Sequence, residues 1–411
     1  TCKKIMFRDY RKKILESPIS VLLPVSGLII LGLATLFSIT STQGQAPPNA
    51  LSKQIIFIIP AVILMSMILL TPRQIIHKYI YIIYGCIIIA VTVPFFGEKI
   101  AGAYRWINIG LPFGLQPSEI AKWVIVIALA RYLSDHNLKM KNFDAIVVPF
   151  LFVLFPTMIV FSQPDLGTAF VMIIPVFTML FWVGSRPIHL FLIIAPLFSI
   201  FTAFDVLVFS IWAGIMAVVI FLARLKLWHA LGLYFSNLFL GLIFPLMWGS
   251  LRSYQQNRII TLFNPELDPL GAGYQIIQSK TALGSGGFLG KGWGQGTQTH
   301  LKFLPVQESD FIVSVIGEEF GFLTLLIMLV LFSWLIIKII RLALNATDRF
   351  SSLVLVGIST IFLTHVFVNC AMTAGMIPVK GLPLPFVSYG GSFLLSCFMM
   401  VGFVLNFGRE K

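Results

Sequence analysis

Apolar residues along this chain run in long stretches, separated by short joints rich in charge, proline and glycine. Stretches of about 20 apolar residues match the hydrocarbon thickness of a bilayer when wound as a helix. The pattern predicts twelve spanning helices, at 19–41, 53–71, 77–97, 118–134, 143–162, 166–184, 188–204, 206–222, 228–249, 310–337, 351–373 and 385–406. The fourth is the weakest, because Glu119, Lys122 and Arg131 interrupt it, and the pair at 188–222 is short. Residues 250–310 break the pattern. They hold no membrane-length apolar block and are dense in Gly, Gln, Lys and Arg. A long polar connection inside an apolar fold marks function, because structureless loops of that length are uncommon.

Composition agrees with this reading. Of 411 residues, 58% are hydrophobic and 11% charged, and mean hydropathy is +0.93. The expected fold class is all-α, a polytopic helical membrane bundle in one domain, 1–411. The net charge of +13 then speaks of topology rather than of nucleic acid. With the N-terminus in the cytoplasm, the inner joints collect Lys3, Lys4, Arg8, Arg73, Lys78, Arg131, Arg186, Arg224, Lys338 and Arg341. Both termini are therefore expected in the cytoplasm and 250–309 outside it. The basic N-terminal tail leads into a spanning-length run, so no cleavable signal peptide is expected. Cys2, Cys86, Cys370 and Cys397 are far apart, as expected of structural thiols, and the six histidines lack metal-ligand spacing.

Against that topology some residues are out of place. Arg252, Arg258, Lys280, Lys291 and Lys302 share the outer loop. Long loops obey the charge rule poorly, so their presence is either unselected or a sign of an anionic ligand such as phosphate. Glu119 and Lys122 stand three apart on one helix face. Glu318 and Glu319 lie two turns into the helix after the loop, and Asp165 lies between two helices. Such groups need a partner or a wet cavity; for Asp165 an ion pair or a helix N-cap is the expected role. The run GSGGFLGKGWGQG is no Walker A loop, since Lys291 is followed by Gly292. No dinucleotide fingerprint and no DxD pair occurs. Outside the cytoplasm a phosphorylated substrate would arrive attached to lipid. The glycines at 284, 286, 287, 290, 292, 294 and 296 allow close approach to a ligand, or plain flexibility.

Several long motifs carry a specific resemblance. GAYRWINIGLPFGLQPSEIAK at 102–122, QPDLGT at 163–168, DPLGAGYQIIQSKTALGSGGFLGKGWGQGTQ at 268–298, SDF at 309–311, EEFG at 318–321 and LPLPFVSYGGS at 382–392 resemble the SEDS family, the shape, elongation, division and sporulation proteins. They cover most of the chain outside 188–250. The resemblance implies a peptidoglycan glycosyltransferase polymerising lipid II at the outer face of the bacterial cytoplasmic membrane during elongation. It also implies a class B penicillin-binding protein as partner. The family's essential aspartate falls on Asp310, its loop tryptophan on Trp106, and its Gln-Pro-Ser-Glu on Gln116 to Glu119.

Two departures stand out. Glu308 and Ser309 precede the aspartate, and a second carboxylate close by would raise the pKa of Asp310. Residues 188–226 look like a two-helix insertion into a ten-helix core. Displacement of a lipid diphosphate with inversion needs a base and positive charge for the leaving group. Asp310 is the expected base, with a helix N-cap as its structural alternative. Lys122, Arg252, Arg258, Lys280, Lys291 and Lys302 are candidates for the diphosphates, with Arg258 and Lys280 ahead because they lie in matching stretches. Glu119 would orient Lys122 or hold a cation. Trp106 would stack on sugar or isoprenoid, or anchor at the interface. A divalent cation, Mg or Mn, is left open, and no other cofactor is expected. The competing functions are a flippase for the lipid-linked precursor and a non-catalytic scaffold for the transpeptidase.

Overall fold

The computed structural model describes residues 16–42, 49–97, 104–107, 114–136, 140, 142–250, 256, 260, 269, 273–301 and 303–409. Helices dominate: α1 Leu22–Thr42, α2 Ala50–Leu70, α3 Arg73–Thr92, α4 Pro117–Asp135, α5 Asp144–Ser162, α6 Leu166–Trp182, α7 Pro187–Thr202, α8 Val206–Ala223 and α9 Leu227–Ser250. They continue with α10 Tyr274–Ser285, α11 Thr297–His300, α12 Ile312–Leu344, α13 Arg349–Thr373 and α14 Gly391–Phe407. Twelve of these fall where apolar stretches predict them. Among the described residues, eight helical segments are long and apolar enough to span a bilayer, and α6, α7 and α14 are shorter apolar helices. The chain is a multi-pass membrane protein.

The charged helix α4 lies in the interior. Its residues are buried on every side, from Ser118 to Ala130 with few gaps, against α3, α6 and α13. Protein neighbours rather than lipid surround it, so it can carry Glu119 and Lys122 where a lipid-facing helix could not. Beside it α13 is also largely buried and packs on α4, α6 and α12. Pairing of α2 with α14 closes the other side. Helix starts use short polar caps. Asn49 accepts from the Ser52 amide at 2.9 Å, and Asp348 accepts from Ser351 at 2.8 Å.

Helices α7, α8 and α9 form a satellite with its own core of Leu192, Ala195, Met216, Ile220 and Ala223. Ser199 donates to Asn237 Oδ1 at 2.7 Å and receives the Trp212 indole N–H at 2.8 Å. The third member, α9, lies beyond the 188–226 segment expected to be an insertion.

The polar loop is more structured than its composition suggests. Its described part contains α10, whose Ile276, Ser279 and Ala282 are buried at helical spacing against α12. Too short and too polar for a membrane span, α10 left no trace in the apolar pattern.

The last predicted helix begins late, at Gly391 rather than 385. Residues 383–390 instead form a turn whose Ser388 accepts from the Leu384 amide at 2.8 Å. The long helix α12 breaks at Gly321, where φ is 78°. A break frees two carbonyls and two amides, each costing several kcal/mol if left unpaired in hydrocarbon. The glycine run supplies all four partners. Lys291 and Gly292 amides donate to the Glu318 and Glu319 carbonyls, at 2.9 and 3.0 Å. Phe322 and Leu323 amides donate to Gly287 and Phe288 carbonyls, at 3.0 and 3.1 Å. This approach requires glycine: a Cβ on Gly290 would lie 2.2 Å from the Glu319 carbonyl oxygen, and one on Gly286 would lie 1.9 Å from that of Gly317. Backbone splicing therefore accounts for Gly286 and Gly290, whereas Gly284 and Gly287 have open space around them.

Candidate active site

A cavity of about 920 Å³ opens where α2, α4 and α6 meet the segments preceding α12 and α14. Four carboxylates line it: Glu119, Asp165, Glu308 and Asp310. Arg105 and Trp106 complete one wall, Tyr389 and Phe393 another.

The first wall is built by a short antiparallel bridge. Ile107 and Leu115 exchange backbone hydrogen bonds at 2.8 and 3.1 Å, which stations Trp106 against Gly114. Asp165 is held at the N-terminus of α6. Its Oδ1 accepts from the Thr168 amide at 3.4 Å and its Oδ2 from Gln116 Nε2 at 3.0 Å. The Arg105 Nη1 stands 4.0 Å from Asp165 Oδ1, and Nη2 donates to the Pro164 carbonyl at 2.5 Å. Asp165 thus makes both interactions expected of it, a cap and an ion pair.

Glu119 and Lys122 form a buried ion pair, with Oε2 and Nζ 2.7 Å apart. Glu119 reaches the cavity. Lys122 lies behind it, fully buried, and is not among the lining residues. Its Nζ stands 2.9 Å from His365 Nε2 and 5.1 Å from the Phe393 ring centroid.

Asp310 sits just before α12, whose N-cap position is Phe311 and has no side-chain cap. Its carboxylate is therefore not used as the cap. Its Oδ1 accepts from Ser309 Oγ at 3.1 Å. Burial raises its pKa above the usual carboxylate value, opposed by the Ser309 hydroxyl and the Arg105 charge. Burial, and not the approach of Glu308, is the cause. Glu308 is itself raised by burial and eased by Lys53.

The backbone around Asp310 is fixed from three sides. Asn369 Nδ2 donates to the Asp310 carbonyl at 3.1 Å and to the Leu382 carbonyl at 2.7 Å. Ser388 Oγ donates to the Ser309 carbonyl at 2.5 Å. Gln54 on α2 donates to the Ser388 carbonyl at 3.1 Å. Val306 and Phe386 adopt positive φ, 56° and 65°, which is strained for residues of their shape. Both belong to the turns that frame the cavity, a usual place for stored strain.

The remaining candidates lie elsewhere. Lys291 Nζ is 2.8 Å from Glu318 Oε1 and donates to Thr297 Oγ1 at 2.9 Å, beside the break in α12. Lys280 is exposed on α10, with its stem against Gly375. Neither lines the cavity. Arg258, with Arg252 and Lys302, lies outside the described residues. Arg105 supplies positive charge that sequence reasoning passed over, although it adjoins Trp106 in the quoted motif. His365 and Asn369 were also missed. Two polar side chains four apart in an apolar helix were the available signal. Among the described residues no group of three or more His, Cys, Asp and Glu side chains gathers as a metal site.

The FtsW, RodA and SpoVE model, described as "Cell cycle protein", matches residues 17–212 and 205–411. Peptidoglycan glycosyltransferase MrdB of Escherichia coli K12 is 36% identical over 334 residues, 81% of this chain and 78% of that protein. Peptidoglycan glycosyltransferase RodA of Treponema pallidum is 30% identical over 426 residues, 95% of this chain and 97% of that protein. Among solved structures, a chain of a peptidoglycan synthase complex superposes with a TM-score of 0.73, at 26% identity, covering 96% of this chain and 98% of that one. The rod shape determining protein RodA of Thermus thermophilus shares the fold at TM-score 0.63, 23% identity, with 96% and 97% covered. With matches of that extent, the chain belongs to the FtsW, RodA and SpoVE family.

Proposed function

We propose that this protein is a peptidoglycan glycosyltransferase that polymerises lipid II at the outer face of the bacterial cytoplasmic membrane, with Asp310 as general base. The carrying observation is the uneven compensation of the four cavity carboxylates. Asp165 is engaged by Gln116, the Thr168 amide and Arg105, and Glu119 by Lys122. Glu308 feels Lys53. Asp310, like Glu308, has no ion pair among the described residues: it receives the Ser309 hydroxyl and feels the Arg105 charge, and burial still raises it. A carboxylate of raised pKa facing open space is suited to take a proton from an incoming sugar hydroxyl.

Arg105, half-exposed on the same wall, provides charge for the departing diphosphate. Trp106 offers a flat apolar face for a sugar ring or the first isoprenoid units. Because the donor linkage is α and the product β, one inverting displacement completes the transfer. The acceptor oxygen attacks C1, the diphosphate leaves with the bonding electrons, and the proton passes to Asp310. Both termini lie in the cytoplasm in this reading. A class B penicillin-binding protein cross-links the product, as suggested by likeness to a chain of a peptidoglycan synthase complex. The satellite around 188–226 is an addition to the transferase core. Support comes from the separate core that its helices share with α9 and from its absence from the cavity lining.

The test is polymerisation of lipid II by the purified protein with its partner, under penicillin. Glycan ladders from the wild type and none from Asp310→Ala are expected. Equal ladders from both would remove Asp310 from the mechanism. Translocation of precursor in liposomes without polymer would replace the transferase by a flippase.

A further inference from the structure

The interior of α13 is apolar except for a few groups, and two of these, His365 and Asn369, lie one turn apart. Asn369 fixes the Asp310 and Leu382 carbonyls. His365 performs the matching task for the opposite wall. Its Nδ1 lies 3.1 Å from the Pro383 carbonyl oxygen, which can only accept, so Nδ1 carries the proton. That leaves Nε2 as an acceptor, 2.9 Å from Lys122 Nζ, which can only donate. A doubly protonated ring would set two donors against each other in a fully buried place, so the geometry selects the neutral Nδ1–H form. The ring also packs on Phe393, with centroids 4.8 Å apart, and Phe393 and Pro383 both line the cavity.

We propose that His365 is a positioning residue for glycosyl transfer. Anchored by the Pro383 carbonyl, it holds the Lys122 ammonium against Glu119 and so fixes the charge and shape of the cavity wall facing Asp310. Without its lone pair, Lys122 keeps Glu119 and the Phe393 face but loses the partner that sets its direction. Glu119 then shifts relative to the bound diphosphate. The Pro383 carbonyl also loses its donor, which loosens the turn that Asn369 holds at Leu382. This inference rests on the transferase reading above.

The experiment uses the full-length protein with its partner in detergent and lipid II as substrate. His365→Leu removes both polar contacts; His365→Gln keeps a donor for Pro383 and an acceptor for Lys122. Misplacement of this size far from the reacting atoms costs on the order of 100-fold. The expected result is a fall of about that size in kcat/KM for His365→Leu, carried mainly by kcat, with recovery to within about fivefold of wild type in His365→Gln. In a Lys122→Met background, His365→Leu should add little further loss, because the two act as one unit. A purely space-filling histidine would give additive losses and no advantage for glutamine. Either of those results, or wild-type turnover in His365→Leu, overturns the proposal. If His365→Leu elutes as aggregate, His365→Met, which fills the space without an N–H donor, takes its place in the comparison. Wild-type and Asp310→Ala ladders run alongside separate the two failures. No polymer from wild type refutes the transferase reading; normal wild-type polymer with an indifferent His365 refutes only the positioning role.

Discussion

Lys291 and Glu318 meet at 2.8 Å beside the break in α12, and neither lines the cavity. Glu318 is fully buried and accepts five donors, from Lys291, Thr297, the Gln298 amide and both the amide and hydroxyl of Thr299. Lys291, from the polar loop, thereby helps to hold the fold. Lys291→Met should leave KM for lipid II near the wild-type value and lower thermal stability by about 1–2 kcal/mol, since the other donors still satisfy the buried Glu318. Glu318→Ala strands several buried donors and should cost about 3–5 kcal/mol. Thermal unfolding in detergent and a substrate titration measure both. A large rise in KM for Lys291→Met would restore it as a diphosphate ligand.

Glycines in the same loop divide by what a methyl group would strike. Gly290→Ala meets the Glu319 carbonyl at a φ of 82°, and Gly321→Ala faces the Gly290 amide at 78°. Each should lose more than about 3 kcal/mol or fail to fold. Gly284, in α10 with nothing within 4 Å, should accept alanine with a gain of up to about 1 kcal/mol. Detergent size-exclusion profiles and melting temperatures distinguish the two classes.

With Asp310 as the proposed base, the pH dependence of kcat/KM should report on it. A base must be ionised, so activity falls as pH drops through its pKa, and burial places that limb above the ordinary carboxylate value. The Ser309 hydroxyl opposes burial by bonding the charged form. Ser309→Ala should therefore move the acid limb to higher pH, with the alkaline plateau less affected. A shift to lower pH would contradict the assignment.

Excising 188–226 should retain measurable polymer, because α7 and α8 contribute no residue to the cavity lining. Gel-resolved glycan from a folded deletion variant is the check. Complete loss despite a normal elution profile would give these helices a part in the reaction. Since α9 shares their core, a drop in melting temperature should accompany the excision.

Hydropathy made twelve helices legible because most of them are long and apolar, and even α4 showed as an apolar run interrupted by Glu119, Lys122 and Arg131. Asp165 was readable as a cap from one residue type at a helix start. Other features left weaker marks. The role of Gly286 and Gly290 depends on the backbone of α12, far along the sequence, and glycine spacing alone also suits a phosphate loop. Lys291 looked available because its counter-ion, Glu318, appeared two turns inside an apolar helix. Arg105 was overshadowed by the aromatic next to it. Position 365 looks like a single polar interruption until Pro383 and Lys122 are placed on either side of its ring.

The exchange of four backbone hydrogen bonds at Gly321 has a mechanical side. Strands joined by paired amides and carbonyls resist sliding, so residues 287–292 and the two halves of α12 move as one body. A pull on residues 287–292 should be delivered to the short half-helix that begins at Ile312, two residues after Asp310, instead of being taken up as slack chain. A load on residues 287–292 would thus reach the backbone that places the Asp310 carboxylate, through paired hydrogen bonds and not through a free tether.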